Sequence, residues 1–88
     1  MLYLRLNLEF MNAKDTSFPQ YRKLVNDKVF YKILDDRNFE EIQVMGRIKN
    51  YYQFEAKIYP EILKIKDLLE LSNESYVMSS EEEWETLK

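Results

Sequence analysis

The sequence contains no cysteine and no histidine. A disulfide framework and a zinc-ribbon site are therefore excluded, together with a thiol nucleophile and an imidazole general base. Glycine occurs once, at Gly46, and proline twice. One glycine cannot build a phosphate-cradling loop. Without histidine, a serine nucleophile would depend on a lysine base. No apolar run reaches membrane-spanning length, and no basic start leads into a secretory hydrophobic region. The expectation is a cytoplasmic chain with no membrane association, no cofactor and no metal.

An excess of basic charge is missing as well. Lys and Arg number 13 against 16 Asp and Glu, for a net charge of −3. Residues 1–73 hold 12 bases and 11 acids, whereas residues 74–88 hold one base and five acids. A nearly neutral body with an acidic tail has no global attraction for DNA or for anionic membranes.

What is present suits one small globular domain. The chain has 88 residues, 45% of them hydrophobic and 33% charged, which is enough for one core and too little for two. Dimerisation would add burial to so small a domain, which keeps a homodimer among the expectations. Aromatics reach 15%, giving the core large rigid pieces. The abundance of Lys, Ile, Asn and Tyr beside scarce Gly and Ala has the look of an AT-rich coding sequence, as in low-GC bacteria, phages and other mobile elements.

Periodicity divides the chain. Leu2, Leu4, Leu6, Leu8 and Phe10 alternate with polar residues, the pattern of a half-buried strand. Ser17 and Gln20 have capping-box spacing around Pro19, which predicts a short helix carrying Phe18, Tyr21, Leu24 and Val25 on one side. Val29–Leu34 and Phe39–Ile48 read as a hairpin closed by Asp35-Asp36-Arg37-Asn38, with Gly46 as a bulge in its second strand. A turn at Lys49-Asn50 would start another strand running through Tyr59. Pro60 then opens an amphipathic helix bearing Ile62, Ile65, Leu68 and Leu69. A short strand, Tyr76–Met78, precedes a last helix capped at Ser79 or Ser80. The order β-α-β-β-β-α, followed by a short strand and helix, predicts an α+β fold. It is a mainly antiparallel four-stranded sheet with its helices on one face. Residues 1–78 would form the domain and residues 79–88 an acidic helix or tail.

Four features are candidates for chemistry or binding. Asp36, Asn38 and Glu40 have the spacing that starts a calcium loop, but Glu41 and Arg47 stand where that loop needs Gly and a bidentate Glu. The pairs Asp35/Asp36 and Glu40/Glu41 have the composition for acid–base or Mg²⁺ work, yet neighbours in a strand point to opposite faces. Arg47, Lys49, Tyr51, Lys57 and Tyr59 interleave basic and aromatic residues, as single-strand nucleic-acid platforms do. Tyr52 and Phe54 fall on the face assigned to the core. In the tail, Trp84 and Leu87 share a helix face and would dock on the body. The acids ahead of Trp84-x-x-Leu87 also resemble the linear motif that binds ubiquitin-like autophagy modifiers, and a third reading of the tail is an acidic surface imitating phosphates.

The expectation that best fits these features is a non-catalytic protein-interaction module. A regulator or inhibitor of the kind mobile elements encode is one form of it. Tyr51, Tyr59, Trp84 and Leu87 are its expected contacts, because aromatic anchors dominate binding energy. The alternative is a single-stranded nucleic-acid binder using Arg47, Lys49, Tyr51, Lys57 and Tyr59.

Overall fold

The computed structural model describes residues 17–88. The alternating segment Leu2–Phe10 lies outside them. Within them the chain forms β1 (Gln20–Leu24), β2 (Val29–Ile33), β3 (Asn38–Met45), β4 (Ile48–Glu55), α1 (Tyr59–Glu70), β5 (Tyr76–Met78) and α2 (Glu81–Leu87). The five strands make one sheet in the order β4-β3-β2-β1-β5, and every neighbouring pair is antiparallel. The α+β class expected from the sequence is the one observed, with one strand more than the expected four.

The hairpin turn between β2 and β3 follows from local chemistry. One Asp35 carboxylate oxygen accepts the backbone N–H groups of Arg37 and Asn38, each at 2.8 Å, and the Asn38 side-chain amide at 3.0 Å. These bonds hold the Asp35 carboxyl below its ordinary range, the Arg37 N–H foremost. The next connection differs from expectation. Met45 pairs with Ile48, so the turn is Gly46-Arg47 and not Lys49-Asn50, and Gly46 is not a bulge. Gly46 has φ 65, with no side chain or backbone within 4 Å of where a Cβ would stand. Backbone conformation alone demands glycine here, as at the first central position of a two-residue hairpin turn.

The segment read as a helix over residues 18–25 is strand β1. It lies inside the sheet, bonded to β2 on one side and β5 on the other. Two ladders satisfy its backbone, and this tertiary gain outweighs the helical signal of Ser17, Pro19 and Gln20. The break at Asn26-Asp27 is real, but it ends a strand. The Asn26 side chain accepts the Lys28 N–H at 2.9 Å, and Asp27 adopts φ 61.

Strand parity sorts the side chains onto two faces, and each helix takes one face. Tyr31, Ile33 and Phe39 meet Ile65 and Leu68 of α1, with Ala56 completing the cluster. On the opposite face, Phe30 and Ile42 surround Trp84 of α2. The helices therefore lie on opposite faces of the sheet and not on one. The 79–88 segment is packed on the sheet, with Trp84 1% exposed and Tyr21 tilted against it at 6.4 Å.

Polar side chains fasten both helices. Glu61 accepts the N–H of Lys57 at 2.8 Å and of Ile58 at 3.3 Å, closing the start of α1. The end of α1 has no basic residue of its own. Arg22, buried on β1, reaches it instead: Nε donates to the Leu68 carbonyl at 2.9 Å and Nη2 to Leu69 at 3.3 Å. Ser80 caps α2 by accepting the Glu83 N–H at 3.1 Å. Glu83 in turn accepts from Ser79 at 2.6 Å and pairs with Lys23 at 3.0 Å, tying α2 to β1.

Candidate protein-binding edge

The outer strands of the sheet are unequal. β5 is three residues long, while β4 is eight and contains neither Pro nor Gly. Among the described residues, β4 pairs only with β3. The Ala56 N–H donates to the Arg37 carbonyl at 2.6 Å, extending the β3–β4 register by one pair. Because inward and outward groups alternate along an antiparallel strand, Asn50, Tyr52 and Phe54 bond β3. Lys49, Tyr51, Gln53 and Glu55 point their N–H and C=O groups away from the sheet. Among the described residues this row is unpaired, an open row that another strand can join.

Aromatic side chains flank that row on both faces. Tyr52 and Phe54 lie on the α1 face, where the sequence pattern assigns them to the core. They are nonetheless 41% and 38% exposed. The reason is width. A helix is about 10 Å across, whereas a five-stranded sheet spans roughly 19 Å. α1 packs over β1, β2 and the near part of β3, so the outer strand is left bare. Phe54 stacks on Phe39 at 4.9 Å, and Tyr52 stands 6.2 Å from Phe54. Met45 and Ile48 extend this apolar surface around the turn, both exposed.

Tyr51 occupies the α2 face, 48% exposed. It lines a cleft with Ile42, Lys49, Leu87 and Lys88, so the fold brings together two expected contacts, Tyr51 and Leu87. Partial burial raises the Tyr51 hydroxyl above its ordinary range, as does neighbouring Glu40, and Gln53 donates to that hydroxyl at 3.1 Å.

Other expected positions separate. β4 ends at Glu55, so Lys57 and Tyr59 do not share a strand face with Tyr51. Tyr59 begins α1 and is well exposed. Trp84 is core, and a partner would have to lift α2 off the sheet to touch it. That placement also takes Trp84 out of reach as a linear motif. Arg47 lies in the β3–β4 turn and Lys49 at the start of β4, while Lys57 follows the strand 3.9 Å from Glu55. Glu40 and Glu55 thus stand among the basic residues.

The carboxylate pairs do not converge. Glu40 and Glu41 point to opposite faces, as the pleat requires. Glu41 is buried, with Lys64 at 3.7 Å and the Gln43 amide donating at 2.6 Å. Asp35 is engaged by its own turn. Among the described residues no group of three or more acidic, His or Cys side chains is arranged to hold a metal ion, and no helix is long and apolar enough to cross a membrane. Of the buried charges, Arg22 is not singled out by the sequence, and Glu41 is singled out only as half of a carboxylate pair and not as a buried group. Reading residues 20–24 as a strand would have put Arg22 on the α1 face. Comparison with known protein families, curated proteins and solved structures finds no match.

Proposed function

We propose that this chain is a non-catalytic protein-interaction module that binds an extended segment of a protein along β4, acting as a regulator or inhibitor of that partner. One observation carries this reading: an eight-residue edge strand with outward-facing backbone at Lys49, Tyr51, Gln53 and Glu55, flanked by aromatic side chains on both faces. Strand addition draws affinity from main-chain bonds and specificity from side chains received alternately on the two faces. Tyr51 with its cleft serves one face, and Tyr52 with Phe54 serves the other. The nucleic-acid alternative is disfavoured by Glu40 and Glu55, which dilute the positive field of Arg47, Lys49 and Lys57.

Gln53→Pro tests the reading. It removes one outward N–H and leaves the β3–β4 ladder intact, a position where an edge strand accepts proline. Capture of a protein from host lysate by the native chain should be lost in this variant while its melting temperature stays close to native. Tyr51→Ala should weaken capture. Retention of capture in both variants would remove β4 as the site. Recovery of nucleic acid that is released by high salt would favour the alternative.

A further inference from the structure

Resting on the β4 reading, we infer that the strand β4 receives is β4 of a second copy of this chain, in an antiparallel pair around a twofold axis at Tyr52. Closed two-fold pairing requires a surface complementary to itself. The open row of β4 has that property. In a pair centred on Tyr52, Lys49 comes opposite the partner's Glu55 and Tyr51 opposite the partner's Gln53, and the axis repeats both. Every outward-facing residue of β4 then exchanges both backbone bonds with the other copy, which is the most this edge can form.

Side-chain chemistry selects the same register. Lys49 and Glu55 lie on the α2 face at opposite ends of β4, so the axis sets two unlike-charge pairs across the interface. On the α1 face Tyr52 meets its own copy, with Phe54 opposite the partner's Asn50. The exposed aromatics of both copies therefore fall in one row. Beyond the ladder Arg47 approaches the partner's Lys57, outside the strands and in water, where like charges are well screened. A pair centred on Tyr51 instead would put Glu55 opposite the Gly46-Arg47 turn and shorten the ladder. Parallel pairing would set Lys49 beside Lys49 and Glu55 beside Glu55. β5, three residues long, has no comparable row.

Sedimentation equilibrium over a concentration series, with hydrogen exchange of the β4 amides, tests the pairing on the full chain. A dimer is expected in which the amides of Lys49, Tyr51, Gln53 and Glu55 gain protection with concentration, while those of Asn50, Tyr52 and Phe54 are protected throughout. Lys49→Glu and Glu55→Lys should each weaken the dimer roughly tenfold or more, from two reversed cross-strand pairs. An equimolar mixture of the two variants should restore it, because the mixed pair sets unlike charges opposite each other at both ends. A monomer with unprotected outward amides overturns self-pairing but leaves the edge open to a different protein, so the proposed function survives. A dimer formed without change at those amides overturns self-pairing as well. Protection that is independent of concentration overturns both readings, since the chain's own residues would then occupy the edge.

Discussion

At the β5 side of the sheet the outermost strand is short, and its Tyr76 packs against the α1-face core while Met78 stays exposed. At the β4 side the outermost strand is long and one face carries Tyr52 and Phe54 in the open. Natural sheets protect edges by shortening them, covering them or interrupting them with proline and charge. The β5 side uses the first device. β4 uses none along its central run, and its charges, Lys49 and Glu55, sit near its two ends. Stability is thus concentrated where α1, β1, β2 and α2 meet, and the surface available for recognition lies on the far side of β3. The same difference separates the polar side chains. Arg22, Lys23 and Glu83 fasten helices to the sheet, whereas at the bare side Gln53 donates to the Tyr51 hydroxyl within the strand and fastens no helix.

The contrast can be broken most severely at Trp84. Trp84→Ala should cost about 3–5 kcal/mol, as large aromatic deletions in cores do, and urea titration reads it. A loss under about 1 kcal/mol would mean that α2 does not hold its face of the sheet. Arg22→Met comes next. It keeps the aliphatic stem but leaves the Leu68 and Leu69 carbonyls without their donor, with an expected loss of about 1–3 kcal/mol by the same titration. If Arg22→Met is neutral, solvent replaces the guanidinium and the helix end is less buried than the geometry shows.

Acid sharpens the comparison with a smaller effect. Asp35, Glu61 and Glu83 all sit below their ordinary carboxylate values through hydrogen bonds made by the folded chain. Their contribution is complete above the unfolded carboxylate range and is lost as pH falls through the lower folded values. Melting temperature should therefore be level near neutrality and decline below about pH 4. Glu83→Gln, which weakens the tie to Lys23, should flatten part of that decline. At high pH the sign reverses for Tyr31, whose hydroxyl is raised by burial and then by Glu41. Its contribution is complete below about pH 10, the ordinary tyrosine value, and is lost above it as the folded group ionises. The smallest effect belongs to the bare edge. Tyr52→Thr should change monomer stability by no more than about 0.5 kcal/mol, the range for surface positions. A much larger loss, measured below the dimerisation range, would show that β4 contributes to the core.

Local signals were legible where a few neighbouring residues decide the outcome. The Asp35–Asn38 turn, the start of α1 at Pro60 and Glu61, and the Ser80 cap of α2 needed no distant partner. The helical spacing of Ile65 and Leu68 and the docking of Trp84 were also visible. The expected site was legible in part. Tyr51 and Leu87 share a cleft, but Tyr59 leaves the sheet and Trp84 serves the core, because the end of β4 at Glu55 and the tilt of α2 onto Phe30 are not written in either segment alone.

Sequence by itself determined the α+β class, the turn that needs Asp35 and the two helices, because capping, backbone preference and periodicity act over a few residues. Tertiary structure decided that residues 20–24 are a strand, since two flanking ladders reward extension more than local capping rewards a helix. It alone decided that α2 takes the face opposite α1. It also decided that Tyr52 and Phe54, patterned as core, stay exposed: one helix is narrower than the sheet it covers.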